Sequence, residues 1–225
     1  MTKEEKPDRD WKECHEHLVQ RGEILLDVES LPGWQEEEVV IAVDSTGIKV
    51  TNRGEWMRKR RKGYIKIHVG GDTKTKQVVS LEVTDDRTDE GEKLMPLVKR
   101  AKRKAIIKRV LGEGGYDTHE NFRFLAGEGI EPGIKVREDS NPNCGGVRGE
   151  VVRAYLRDPP GWKKQVGYGQ RWMAETFFSG FKRLFGEVVH AKRFERMVRE
   201  IELKVWVYNL MLGLAVAPAL ATAGA

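Results

Sequence analysis

The sequence predicts an α/β fold, in which a mixed sheet is flanked by helices and followed by C-terminal helices. Three observations predict this class: three consecutive strand-like segments lie within residues 36–86, two helix–strand units follow them, and the C-terminal part has helical periodicity. A chain of 225 residues can bury one good core or two small ones around such a sheet.

The first three predicted strands form an antiparallel meander. EEEVVIAVDSTGIKV contains the β-branched apolar run 39–43, which is too short for a helix. GYIKIHVGGD (63–72) alternates with period two, so Ile65, Ile67 and Val69 share one face, and we expect His68 on the opposite, exposed face. QVVSLEVTDD (77–86) follows a short turn and completes the meander.

Two helix–strand units come next. EGEKLMPLVKRAKRK (90–104) has apolar residues at helical spacing, and DTHENFRFLAGEG (117–129) predicts a helix with Asp117 as its N-cap and Glu120 three residues later. Each is followed by a strand-like segment. The remaining predicted elements are strands over 105–115 and 130–139, a loop over 141–150, and helices over 169–185 and 194–217. Antiparallel strands followed by such units predict a mixed sheet covered by helices.

Charge is distributed unevenly along the chain. The net charge is +5, but residues 1–43 carry 12 acidic against 5 basic residues, whereas residues 53–104 carry 16 basic against 8 acidic ones. Residues 160–204 carry 10 basic against 5 acidic ones. An acidic head on a basic body indicates a polyanionic partner, most often nucleic acid. A solvated charged surface has the same composition, so charge alone leaves both interpretations open.

Several classes of protein are disfavoured. Cys14 and Cys144 have no CxxC spacing, which argues against a zinc site or a disulfide framework and is typical of a reducing cytoplasm. The charged N-terminus is unlike a secretory signal. The apolar stretch 205–221 contains Asn209 and Pro218 and continues a charged helical pattern, which favours a buried terminal helix over a membrane span. We therefore expect a cytoplasmic protein without a membrane partner.

Acidic residues stand at the ends of predicted elements. Asp44 directly follows VVIAV and Glu113 follows IIKRVLG, and ligands are placed at the carboxyl ends of strands in such sheets. Glu175 shares one polar helix stripe with Arg171 and Lys182, which indicates either an ordinary surface ion pair or a functional carboxylate. Three converging carboxylates would suit two Mg²⁺ or Mn²⁺ ions and in-line phosphodiester chemistry.

Three blocks resemble the DDE transposases of bacterial and archaeal insertion sequences. They are VDSTGIKV, GEGGYDTHENF and YGQRWMAETFFSGFKRLFG, and the last carries the full Tyr-Arg-Glu-Lys spacing in Tyr168, Arg171, Glu175 and Lys182. The resemblance covers roughly residues 39–215 and implies an RNase H-like catalytic fold.

The resemblance also implies a function for these residues. Asp44 would be the first metal-binding acid and Glu175 the third, while Arg171 and Lys182 would contact DNA phosphates near the cleaved end. Tyr168 would pack against a base or the backbone there, although by residue type a tyrosine at this position is as well explained by the core. The implied activity is Mg²⁺- or Mn²⁺-dependent cutting and joining of double-stranded DNA, at the element ends and the target, by a homodimer.

Two features depart from the family pattern. Glu113 stands where the family usually has the second catalytic Asp, and its extra methylene makes it either a working substitute or the mark of an inactive enzyme. Asp117 is the less favoured candidate for the second acid. The acidic segment 1–38 is interpreted as the remnant of a DNA-binding region that was shortened by an internal deletion. A catalytic domain over 39–217 and a flexible tail over 218–225 are predicted to follow it.

The basic run MRKRRKG is either an arm that grips DNA phosphates or a solvated loop. Its candidate DNA-binding residues are Arg58, Lys59, Arg60, Arg61 and Lys62. Three functions are compatible with the sequence. The first is an active transposase, a nuclease of DNA transposition and recombination, and the second is a catalytically impaired DNA-binding derivative. A membrane-associated interaction protein using 205–221 is a third.

Overall fold

The computed structural model describes residues 38–50 and 63–221, with side chains described up to residue 213. The strands are β1 (Glu38–Val50), β2 (Tyr64–Asp72), β3 (Val78–Thr84), β4 (Ile106–Gly112), β5 (Glu131–Ile134) and the two-residue β6 (Val188–Val189). The helices are α1 (Leu94–Ala101), α2 (His119–Gly127), α3 (Gly146–Arg157), α4 (Pro159–Val166), α5 (Trp172–Phe185) and α6 (Phe194–Ala221). The basic run 58–62 and the acidic segment 1–37 lie outside the described residues.

The strands form one mixed sheet in the order β3-β2-β1-β4-β5. The first three strands pair antiparallel, and β4 and β5 then add parallel to β1 and to one another. The short β6 pairs parallel with the far end of β1. This arrangement confirms the predicted RNase H-like sheet, in which a meander is extended by strand–helix units.

Different helices cover the two faces of the sheet. Ile41 and Val43 of β1 belong to a buried cluster to which α1, α2, α3 and α4 all contribute. Val69 of β2 belongs to a second cluster formed with α5 and α6. Asp44 pairs with Val69 across the β1–β2 ladder, and paired residues share a face. Asp44 is therefore directed to the side of the sheet on which α5 packs.

His68 is buried, which contradicts the expectation of an exposed face. The alternation along β2 is as predicted, but β2 lies inside the sheet with both faces covered, so neither face is exposed. The His68 Nε2 atom lies 2.9 Å from the Thr84 hydroxyl, and its Nδ1 atom has no hydrogen-bond partner among the described residues. Burial, with the nearby charges of Lys66 and Lys93, lowers the pKa of His68 to about 4.

Two helices occupy a region in which the sequence analysis predicted a loop over 141–150 and no element over 151–168. In α3, Val152 and Tyr155 are buried one turn apart, although Gly and Arg residues obscure the pattern. The start of α4 carries a recognisable N-cap signal. Asp158 precedes two prolines at the first helical positions, and its side chain accepts a hydrogen bond from the Gly161 N–H.

The C-terminal helix α6 reaches Ala221, beyond the predicted end at residue 217. Its polar Asn209 is buried and binds the backbone of Val78 twice: the side-chain oxygen accepts from the N–H at 2.9 Å and the amide donates to the carbonyl at 2.8 Å. This contact fixes α6 against β3, as expected of a buried terminal helix. Within the described residues, no helix is long and apolar enough to cross a membrane.

Candidate active site

The parallel pairing of β1 and β4 places two of the predicted acids at the same end of the sheet. The last residues paired between these strands are Ala42 and Leu111, and Asp44 and Glu113 each follow two residues later. Asp44 does not follow the end of its strand, as the sequence suggested, because β1 continues to Val50 along β2. Asp44 instead occupies the point at which β1 separates from β4, and this exposes one flank of the strand to the site.

Arg171 contacts the third predicted acid and both of the others. Its Nη2 atom lies 2.5 Å from Glu175 Oε1 and 2.8 Å from Glu113 Oε1. Its Nη1 atom lies 3.6 Å from Asp44 Oδ2. Because Glu113 and Glu175 contact the same nitrogen, their two oxygens cannot be farther apart than the sum of those distances. Asp44, Glu113 and Glu175, called here the three-acid cluster, therefore converge on one guanidinium group.

The burial of these groups differs sharply. The Arg171 side chain is 13% exposed and that of Asp44 is 18% exposed, whereas those of Glu113 and Glu175 are 55% and 59% exposed. Arg171 ends the 3-10 turn Tyr168–Arg171, directly before α5 begins, and its guanidinium carbon lies 6.0 Å from the centre of the Tyr168 ring. The cation thus lies at the base of the site, and two of the acids form a solvent-exposed rim.

Asp44 is held in a partly buried position by its neighbour. The Ser45 backbone N–H donates to Asp44 Oδ1 at 2.8 Å. Burial raises the pKa of Asp44 to about 6, and the charges of Glu113 and Glu90 act in the same direction. The Ser45 N–H and the charge of Arg171 oppose this shift. The favourable partners of the ionised carboxylate are therefore outweighed by the loss of water and by the surrounding negative charge.

Glu90 is an additional carboxylate that the sequence analysis did not identify. The Ser45 hydroxyl donates to Glu90 Oε1 at 2.5 Å, and a Cβ atom placed on Gly115 would come within 3.0 Å of Glu90 Oε2. Glu90 therefore lies between the segments that follow Asp44 and Glu113. No sequence signal marks it, because its position depends on how the segment after β3 returns across the ends of β1 and β4.

Tyr116 belongs to the buried cluster that α1, α2, α3 and α4 form on the face of the sheet opposite to Asp44. Its side chain is fully buried, and its hydroxyl has no hydrogen-bond partner among the described residues. Burial, together with the negative charges of Asp44, Glu90 and Glu113, raises the pKa of Tyr116 well above its usual value. Its hydroxyl is thus a neutral donor close to a negatively charged site.

Asp117 does not join the three-acid cluster. Its carboxylate is fully buried and pairs with Arg148 of α3, with Nε at 2.6 Å from one oxygen and Nη2 at 2.9 Å from the other. It also accepts from the Arg137 backbone N–H at 3.1 Å. The predicted capping role was wrong: Thr118 is the N-cap of α2, and its hydroxyl accepts from the Asn121 N–H.

Of the other predicted DNA-binding residues, Tyr168 lies beside Arg171, Lys182 lies farther along α5, and the basic run lies outside the described part of the chain. Tyr168 is half-buried, with its ring 5.8 Å from that of Trp162, and burial raises its pKa to about 12. Lys182 is half-buried on α5, seven residues or about 10 Å along the helix from Glu175. The run 58–62 has no described structure.

The donor set suits a hard divalent cation, because carboxylate oxygens are the preferred protein ligands of Mg²⁺ and Mn²⁺. The arrangement is nevertheless not that of a formed metal site. Among the described residues, no group of three or more His, Cys, Asp or Glu side chains is arranged to hold a metal ion. The three-acid cluster instead surrounds the positive charge of Arg171.

Comparison with known proteins identifies the family. The family model described as the transposase DDE domain matches residues 35–210. The fold is also similar to a chain of the piggyBac transposase synaptic complex with hairpin DNA, at 11% identity and a TM-score of 0.41, covering 81% of this chain and 47% of that one. A chain of the simian T-cell lymphotropic virus intasome in complex with the PP2A regulatory subunit B56 gamma matches at 13% identity and a TM-score of 0.31. That match covers 64% of this chain and 54% of the other, so this chain spans about half the length of both. Because the family model covers most of its length, the chain belongs to the transposase DDE-domain family.

Proposed function

We propose that this chain carries the catalytic centre of a transposase that cuts and joins DNA phosphodiesters at insertion-sequence ends. One observation supports this most strongly: carboxylates from within β1, from the end of β4 and from α5 converge within reach of a single guanidinium group. Family membership is consistent with it. Asp44, Glu113 and Glu175 are the proposed ligands of Mg²⁺ or Mn²⁺, and the chemistry takes place at their end of the sheet.

Two divalent ions bound there would activate a water or a 3′-hydroxyl and stabilise the leaving oxygen. The chain supplies the ligands and their orientation. Asp44 is fixed by the Ser45 N–H, so one of its oxygens is committed while the other faces Arg171. The side chains of Glu113 and Glu175 are exposed to solvent and are therefore accessible to a substrate. This division suits a site with one rigid ligand and two adjustable ones.

The proposed substrate is double-stranded DNA, at the element ends and at the target, bound by a homodimer when active. Exposed basic residues of the segment after α5 and of the first turns of α6 supply positive charge for phosphates, and they are Lys192, Arg193, Arg196 and Arg199. Tyr168, Lys182, Arg171 and the run 58–62 are the proposed contacts near the cleaved end. Binding through phosphates would weaken steeply as salt concentration rises.

Cleavage of a duplex that carries the element's terminal repeat tests the proposal. The full chain would be assayed with Mg²⁺ and with Mn²⁺, beside Glu175→Gln and the control Glu187→Gln, a surface glutamate paired with Lys49 at 3.5 Å. We expect Glu175→Gln to lower the cleavage rate at least about 100-fold and Glu187→Gln to leave it unchanged. Cleavage that survives Glu175→Gln would reject the ligand assignment.

A catalytically impaired DNA-binding protein is the second candidate, and Glu113 is the observation that favours it. Glu113 is one methylene longer than the family's aspartate, and its side chain is more than half exposed. In this case the wild-type chain would bind DNA with a steep salt dependence but would not cut it. The variant Glu113→Asp separates the two candidates, because gain of cleavage by this variant alone would identify an impaired enzyme.

A further inference from the structure

The position of Arg171 differs from that of a residue waiting to bind DNA. Its guanidinium group is directed inward, is less exposed than any acid of the three-acid cluster, and forms an ion pair with each of them. One positive charge thus faces three carboxylates. Without it, Asp44, Glu113 and Glu175 would repel one another across a partly buried site, since like charges a few ångströms apart interact strongly where water is limited.

A divalent cation bound between the three acids would compete with Arg171 for their negative charge and for the space between them. Magnesium lies about 2.0–2.1 Å from its oxygen ligands. The Nη2 atom of Arg171 lies 2.5 Å from Glu175 Oε1 and 2.8 Å from Glu113 Oε1, so it already occupies the space in front of both. Steric overlap and charge repulsion both exclude a cation that shares these oxygens with the guanidinium group.

The structure also makes release of Arg171 feasible. Two of its three partners, Glu113 and Glu175, are more than half exposed, and ion pairs with exposed partners contribute little individually. Its Nη1 atom is buried and has no hydrogen bond within the described residues. Arg171 also lies at the junction between a 3-10 turn and α5 rather than within a regular helix. The contacts that hold Arg171 in the site are therefore mainly its ion pairs with the acids, and a bound cation would replace them.

We propose that Arg171 is a built-in counter-ion that holds the three-acid cluster together and is displaced when a divalent cation binds. It is a positioning residue in this role, because it acts on the carboxylates rather than on the reacting atoms. Displacement turns its positive charge outward, where it becomes available to a DNA phosphate. Metal binding and DNA binding are then coupled through one side chain. This inference rests on the proposed function, since it takes Asp44, Glu113 and Glu175 as the cation ligands.

Titration with Mn²⁺ tests the inference without any DNA cleavage. Binding would be measured by calorimetry or electron paramagnetic resonance for the wild-type chain, Arg171→Gln and the control Arg183→Gln, whose arginine is exposed near the end of α5. We expect Arg171→Gln to bind Mn²⁺ at least about tenfold more tightly, since it removes a positive charge within about 4 Å of the cluster. Arg183→Gln should match the wild type. Unchanged or weaker binding by Arg171→Gln would overturn the inference.

Two further variants keep this test decisive. Without metal, Arg171→Gln should be less stable to urea than the wild type, and Mn²⁺ should restore more stability to it than to the wild type. Should Arg171→Gln fail to fold, Arg171→Lys retains the charge with fewer contacts and should bind Mn²⁺ with intermediate affinity; affinity equal to the wild type would count against displacement. Glu175→Gln separates the ligand assignment from the role of Arg171. If this variant binds Mn²⁺ as tightly as the wild type, the proposed ligands are rejected. If Glu175→Gln changes Mn²⁺ binding and Arg171→Gln does not, only the role of Arg171 is rejected.

Discussion

Two arginine–carboxylate clusters include acids from the same segment, Asp117 in one and Glu113 in the other, and they differ in burial and in charge balance. Arg148 binds one carboxylate, that of Asp117, through two nitrogens, and Asp117 is fully buried with further bonds from Arg137 and Ser140. Arg171 is shared among three carboxylates, two of them more than half exposed. The first cluster is balanced in charge and closed, whereas the second has an excess of negative charge and is open to solvent.

This difference separates a structural carboxylate from a functional one better than residue type does. Asp117 and Glu113 are four residues apart in one glycine-rich segment, and either could have served as the second acid by sequence. A saturated, buried carboxylate has no free lone pair for a ligand, while a crowded, exposed one has unmet affinity for positive charge. The four predictions below address this contrast, beginning with the largest expected effect.

Asp117→Asn should be the most damaging single change to stability. It removes the negative charge opposite Arg148, whose side chain is only 13% exposed, and leaves a nearly buried cation without its partner. We expect a loss of about 3–5 kcal/mol in the free energy of unfolding. Urea denaturation would measure it, with the exposed Glu120→Gln as control. A loss below about 1 kcal/mol would show that the pair is not structural in this sense.

Glu175→Gln should show the opposite balance. We expect the roughly 100-fold loss of cleavage given above, with little change or a small gain in stability, because the cluster loses one of three mutually repelling charges. The same urea measurement applies. A large loss of stability would mean that the carboxylate serves the fold, and the contrast with Asp117 would then fail.

Glu90→Gln should have an intermediate effect on function alone. Glu90 accepts from the Ser45 hydroxyl, and Ser45 in turn orients Asp44, so a neutral side chain loosens this support without removing a ligand. We expect about a tenfold loss in cleavage rate or Mn²⁺ affinity, the range typical of residues behind metal ligands. The neighbouring exposed Glu92→Gln is the matched control. Equal behaviour of the two variants would remove Glu90 from the site.

His68 is buried like Asp117, but it is neutral near pH 7 and, within the described part of the chain, has no charged hydrogen-bond partner, unlike the acids of both clusters. Its folded-state pKa of about 4 lies below the usual 6.5, so the unfolded chain binds the proton more readily between these values. The stability that depends on neutral His68 is therefore complete above pH 6.5 and is lost as the pH falls towards 4. We expect a wild-type loss of about 1 kcal/mol or more between pH 7.5 and 5 that His68→Gln lacks. Parallel urea midpoints for both proteins would contradict this.

The sequence predicted the sheet well because its strands carry strong local patterns. The β-branched run in β1 and the alternation in β2 do not depend on distant residues, and the helices α1, α2, α5 and α6 begin or end close to their predicted limits. The exposure of His68 was wrong for a tertiary reason, since alternation tells which residues share a face but not whether helices cover both faces. Helix α3 was missed because its glycines and arginines weaken the apolar spacing.

The sequence predicted that three acids converge, but it did not predict that an arginine lies between them. Strand ends and the family resemblance suggested that Asp44, Glu113 and Glu175 belong together, and the structure places all three around Arg171. Spacing gave the contact between Arg171 and Glu175, which lie four residues apart. It could not give the contacts with Asp44 and Glu113, because they depend on how α5 packs against the sheet. The support from Glu90 depends on tertiary structure in the same way.

Binding of Mn²⁺ by the full chain tests the central claim most directly, namely that the three-acid cluster is a divalent-cation site. Calorimetric titrations would compare the wild type with Glu175→Gln and with Glu187→Gln, which changes the same residue type on the surface. We predict that the wild type and Glu187→Gln bind Mn²⁺ with equal affinity and that Glu175→Gln binds at least about tenfold more weakly. Equal affinity of all three proteins, or no binding by the wild type, would contradict the account.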